Sequence, residues 1–152
     1  MSRLPVLQIE DLTAEQKRIY DEIARVRHGV VRGPFPIWLR IPELADRANQ
    51  LGNALRVNGK LEKRLFELMV LIVARHWSAQ YEWFAHAKNA PAAGLSPEIV
   101  DAIQNRRRPE YLREDEQLIY DLVTELVDTR TLSQPSYDRH GVKRFRCAGA
   151  SR

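Results

Sequence analysis

One cysteine stands among 152 residues, Cys147, near the C-terminal end. An internal disulfide, a CxxC redox pair and a cysteine-built zinc site each need more than one, so all three are excluded. Long apolar runs are also lacking: none approaches the ~18 residues that cross a bilayer. The opening "MSRLPVLQIEDLTAEQ" has neither the basic region nor the apolar stretch of a secretory leader. A cytoplasmic protein without a membrane partner is expected. A uniform excess of one charge is missing too. The net charge is +4, yet Arg139, Lys143, Arg144, Arg146 and Arg152 form an acid-free C-terminal stretch, and without them residues 1–138 carry about −1. The basic pI therefore gives no argument for a polyanion groove, and no nucleic-acid partner is expected. Arg106, Arg107 and Arg108, between two predicted helices, read as solvated surface.

What is present suits a folded domain. Hydrophobic residues make up 44% and charged residues 29%, ordinary values for a globular chain. A chain of this length buries roughly 70% of the surface its unfolded form exposes, enough for a real core. One domain over 1–138 is expected, all-α, since helical signals dominate and no repeat stands out.

Thr13 with Gln16 makes a T-x-x-Q capping box, followed by Ile19, Ile23 and Val26 at helical spacing, with Gly29 as a stop. This predicts a helix over 14–28. "GVVRGPFPIWLRIP" reads as an ordered apolar loop, because glycine and proline interrupt it repeatedly. Pro42 suits the first turn of a helix ending near 57. "LEKRLFELMVLIVARHW" puts Leu61, Leu65, Leu68, Met69, Ile72 and Val73 on one broad apolar face, extended by Phe66, Val70 and Leu71, and must be largely buried. After a break near Trp77 and Ser78, a helix over 79–92 is predicted, with Gly94 as its left-handed stop. Ser96 as N-cap and Pro97 at the first helical position open the next helix. "EDEQLIYDLVTELVDT" gives another amphipathic helix, and "LSQPSYDR" begins one more, capped by Ser133. Trp38, Trp77 and Trp83 read as core or interface anchors.

Beyond that start, "HGVKRFRCAGASR" has no apolar periodicity, and its composition contrasts with everything before it. Residues 139–152 read either as a disordered tail or as a terminus altered by a frameshift. Intact mass beside resequencing of the gene separates the two.

The residues able to do chemistry gather in "YEWFAHAKNAPAAGLS" and the helix before it. Positions 79, 82 and 86 share one helical face, so Ala79, Glu82 and His86 point the same way. The preceding helix carries Glu67 in apolar surroundings. Packed as a hairpin, the two helices bring Glu67 near His86, which makes either an acid/base pair or a satisfied buried polar pair. Arg75, His76 and Tyr81, beside the interhelical break, line the same region or serve as ordinary helix-end residues. No metal or other cofactor is required by such a pair.

The run "RLFELMVLIVARHWSAQYEWFAHAKNAPAAGLSPEIVDAI" resembles the carboxymuconolactone decarboxylase family, which shares its fold with AhpD-like proteins. The pattern is a Glu in an apolar helix, a short turn, Glu-Trp then His, a small-residue run, and Gly-Leu-Ser opening the next helix. The match is strongest over 61–103, and weaker likeness in "GPFPIWLRIPELADR" and "LREDEQLIYDLVTELV" extends it. The resemblance implies an AhpD-like helical domain with a central antiparallel helix pair, assembled as a homo-oligomer, a trimer or hexamer.

In the AhpD branch a CxxCxxxH motif reduces disulfides. Counting back from His86, its cysteine positions fall on Ala79 and Glu82, neither of which forms a thiolate, so thiol-dependent activity is not expected. The other branch decarboxylates a small carboxylated lactone without a cofactor. That likeness implies His86 as proton donor or oxyanion partner, Glu67 orienting it, Glu82 as a further polar group, and Arg75 or His76 holding the substrate's carboxylate, with Tyr81 beside them among the substrate-binding residues. The alternative is a non-catalytic oligomer that binds a small acid.

Overall fold

The computed structural model describes residues 4–5, 7–27, 29–56, 59–110 and 113–140. Among them the chain is all-helical, with no strand. It divides into two compact units, Met1–Lys60 and Leu61–Arg152.

The first unit holds α1 (Ala14–Val26), α2 (Phe35–Trp38) and α3 (Pro42–Arg56). The capping box forms as its sequence dictates: the Gln16 amide N–H donates to Thr13 Oγ1 at 3.3 Å, and the Thr13 N–H donates to Gln16 Oε1 at 2.9 Å. Two otherwise orphaned donors are thereby satisfied. Helix α1 stops at Val26, shorter than predicted, and Gly29 follows at φ +81° with its N–H on Ala24 O at 2.9 Å.

The stretch expected to be an apolar loop contains α2. Pro34 caps it and Pro36 sits in its first turn, where a missing N–H costs no helical bond. The turn buries Phe35 and Leu39 with Ile19, Ile23 and Ala45, and Trp38 packs its edge on Phe35 at 5.2 Å. Repeated prolines thus shorten this helix without preventing it.

The second unit is organised around α4 (Lys63–His76), which packs against α5 (Gln80–Asn89), α6 (Pro97–Gln104) and α7 (Glu114–Thr129); α8 (Gln134–His140) follows. Leu65, Leu68, Leu71 and Ile72 of α4 meet Ala90, Leu95, Ile99, Ile103, Ile119 and Val123 in one core. Each fully buried Leu or Ile contributes about 1.5–3 kcal/mol by leaving water. The buried stripe is narrower than the apolar pattern: Val73 is exposed, about 100° round the helix from Ile72.

Helices α4 and α7 run parallel, as their end contacts require. Near the start of both, buried Arg64 of α4 donates to Glu116 at 2.6 Å and to Asp115 at 2.7 Å. At the end of both, His76 Nδ1 lies 3.2 Å from Asp128 Oδ1. The spacing from Arg64 to His76 equals that from Glu116 to Asp128, so the two clamps share one register.

Helix α5 is shorter than predicted. Ala79 stands at its N-cap, and at its other end Pro91 opens a 3-10 turn, Pro91–Ala93, since proline offers no N–H to continue the ladder. Gly94 then takes φ +90°, the left-handed stop read from sequence. Ser96 caps α6 by accepting the Glu98 N–H at 3.2 Å, with Pro97 at the first helical position. Of the tryptophans in the two units, Trp38 and Trp83 pack against their own cores, whereas Trp77 is exposed.

Among the described residues no helix is long and apolar enough to cross a membrane. Helix α8 carries the backbone two residues into the stretch expected to be irregular; residues 141–152, with Cys147 and the rest of the basic tail, lie outside the described residues.

Candidate functional site

The α4–α5 hairpin builds the site. Trp77, Ser78 and Ala79 make the connection, with Ser78 at φ +53° and the Ala79 N–H closing on Ala74 O at 2.8 Å. So tight a turn folds α5 back along α4. It sets His86, on the inner face of α5, opposite Glu67 on α4.

His86 Nδ1 lies 2.7 Å from Glu67 Oε2, with the side chains only 9% and 13% exposed. With Glu67 as a carboxylate, which only accepts, Nδ1 must carry the hydrogen. That fixes the ring's orientation and leaves Nε2 as the working nitrogen: a base in the neutral ring, an acid in the imidazolium. Phe66 lies beside the same imidazole at 6.3 Å between ring centroids and adds apolar wall.

Glu82, one turn before His86 on α5, approaches the other edge of the ring. Its Oε2 is 3.5 Å from Nε2, longer than a good hydrogen bond, and its side chain is 45% exposed. The three groups form a line with the imidazole in the middle: nearly buried Glu67 at Nδ1 and half-exposed Glu82 at Nε2. The carboxylates address opposite nitrogens and do not converge on one point. Among the described residues no group of three or more His, Cys, Asp or Glu side chains is arranged to hold a metal ion.

The structure thus brings together Glu67, Glu82 and His86 of the sequence-predicted set. Arg75 and His76 lie two turns further along α4, about 12 Å beyond Glu67 at ~1.5 Å per residue. Each has a partner there. Arg75 Nε donates to Gln104 O at 2.8 Å, placing a cation on the negative end of α6, and His76 pairs with Asp128 and stacks edge-on with Trp77 at 5.0 Å. Tyr81, next to Glu82 in sequence, is turned about 100° from it round α5 and is exposed.

Sequence reasoning passed over Arg64, Asp115 and Glu116. Burial opposes the charge of Arg64, but hydrogen bonds to Asp115 and Glu116 hold the guanidinium above its ordinary value. The Arg64 hydrogen bond in turn holds the Asp115 carboxyl below the usual range. Glu116 carried a readable signal: it occupies the same helical stripe as buried Ile119 and Val123.

In comparison with known proteins, the chain matches no family model, no curated protein and no solved structure.

Proposed function

We propose that this chain is a carboxymuconolactone decarboxylase-like lyase, removing CO2 from a small carboxylated lactone or related acid by acid/base chemistry alone. The observation that carries the reading is the hydrogen bond between Glu67 and His86 Nδ1, which leaves Nε2 beside a half-exposed carboxylate at the solvent side. The sequence pattern of the hairpin supports it.

In the proposed reaction the carboxylate carbon–carbon bond breaks and CO2 departs. The electron pair delocalises into the conjugated lactone carbonyl as a dienolate, and the proton on His86 Nε2 then quenches that charge. Glu67 keeps the ring aligned and balances the imidazolium before transfer. The reading includes a homo-oligomer acting in the cytoplasm. Exposed Trp77 and Phe84 on the α4–α5 hairpin leave apolar surface that self-association would cover.

The test is CO2 release from 4-carboxymuconolactone by wild type and His86→Ala, with circular dichroism as a check on folding. Turnover lost in a helical mutant supports the reading. No turnover by a folded, oligomeric wild type overturns decarboxylation of this lactone and favours a small-acid binding protein.

A further inference from the structure

Resting on that reading, we infer that Glu82 is a specificity-determining residue, a charge filter that reserves His86 Nε2 for an uncharged oxygen and turns the substrate's own carboxylate away from it. The inference comes from the line of three groups. Glu67 occupies Nδ1 at 2.7 Å, so a ligand meets the imidazole only at Nε2. Glu82 Oε2 stands 3.5 Å from that nitrogen. Any atom hydrogen-bonded to Nε2 therefore lies close to the Glu82 carboxylate.

For an anionic oxygen this neighbour is costly, because like charges at such separations repel strongly where protein screens them less than water. A neutral carbonyl oxygen meets no such penalty. The contact between Glu82 and Nε2 is too long to be a strong bond, and the side chain is 45% exposed, so an incoming carbonyl can displace it slightly without stranding a buried charge. An incoming carboxylate would have to expel it.

The filter also narrows what His86 does. A dienolate oxygen left unprotonated beside Glu82 would be repelled in the same way. Full transfer of the proton from Nε2 to the intermediate removes that negative charge and leaves a neutral ring between the two carboxylates. His86 is thus a proton donor in this site, rather than a hydrogen-bonding partner to a lasting oxyanion.

The experiment uses a matched pair of probes, acetamide and acetate, near in size and different in charge. Binding to the full-length protein near pH 7 is followed through the nitrogen resonances of the His86 ring, in wild type, Glu82→Gln and Glu82→Asp. Wild type should respond to acetamide at concentrations at least tenfold below those needed for acetate. Glu82→Gln should abolish or reverse that preference, and Glu82→Asp, which keeps the charge, should retain it. Equal response of wild type to both probes, or an unchanged preference in Glu82→Gln, overturns the filter. If neither probe moves the His86 signals in any of the three proteins, the filter is overturned as well. The outcome is separable from the reaction: wild type that decarboxylates the lactone but does not discriminate the probes keeps the activity and loses the filter. Discrimination without turnover does the reverse.

Discussion

His86 Nδ1 and Glu67 Oε2 meet at 2.7 Å although 19 positions separate them in the chain, because the α4–α5 turn lays their helices side by side. Both side chains are nearly out of water, so the bond persists without competition from solvent and holds the imidazole in one orientation. Replacing Glu67 by Gln preserves size and removes the carboxylate. The expected outcome is a ring no longer held with its hydrogen on Nδ1, seen in the nitrogen shifts of His86, and a stability loss of about 1–3 kcal/mol by denaturant titration. In the proposed reaction, His86→Ala should lower kcat by about 10²–10⁴-fold, with Glu67→Gln intermediate.

A second prediction concerns Arg64. Its guanidinium and Glu116 are both almost wholly buried, with side-chain exposures of 2% and 4%. Arg64→Ala leaves the Glu116 carboxylate inside without its partner and should cost about 3–5 kcal/mol. The double replacement Arg64→Met with Glu116→Leu removes both charges and keeps the volume, and should recover most of that loss in thermal melts. A double variant no more stable than the single one would show that packing, and not the stranded charge, set the cost.

The same cluster sets an acid limit. Asp115 is held below its ordinary range by the hydrogen bond from Arg64, so the unfolded chain takes up the Asp115 proton more readily than the folded one. Its contribution to stability is complete above the ordinary aspartate value of about 4 and is lost as the pH falls from there through the lower folded-state value. Wild type should therefore lose stability on that descent. Asp115→Asn should be less stable than wild type at neutral pH, and its stability should fall less between pH 5 and the acid end.

Local signals carried much of this architecture. The Thr13 and Gln16 box, Ser96 with Pro97, Gly94 and the apolar period of α7 each act within one or two turns, and each stands where its chemistry requires. The Glu67–His86 pairing was legible because a short connection between two helices permits one return path. The Arg64 cluster was not, since its partners lie 51 and 52 residues away and nothing local marks the pairing. The partners of Arg75 and His76 were hidden for a related reason. Gln104 and Asp128 belong to helices whose placement on α4 is a tertiary fact. Helix α2 was obscured by prolines that break a long helix but fit the first turn of a short one.

The last prediction falls on Gly94, which ends the segment that carries His86 into the core. Its φ of +90° lies where a side chain is strained whatever the space around it, and an added Cβ would meet nothing nearer than Arg64 Cδ at 3.9 Å. The cost of Gly94→Ala is therefore conformational and not steric, about 1–2 kcal/mol. Beyond this turn the Leu95 N–H bonds to Ala90 O at 3.0 Å, and Leu95 is fully buried. The chain therefore cannot relax by swinging the turn outward without exposing that leucine. Gly94→Ala should lower the denaturation midpoint while leaving the His86 nitrogen shifts unchanged, because α4 and the Ser78 turn hold Glu67 and His86 together independently. Altered shifts in a folded Gly94→Ala protein would mean that the turn at Gly94 also sets the position of the imidazole, and that the hairpin alone does not fix the site.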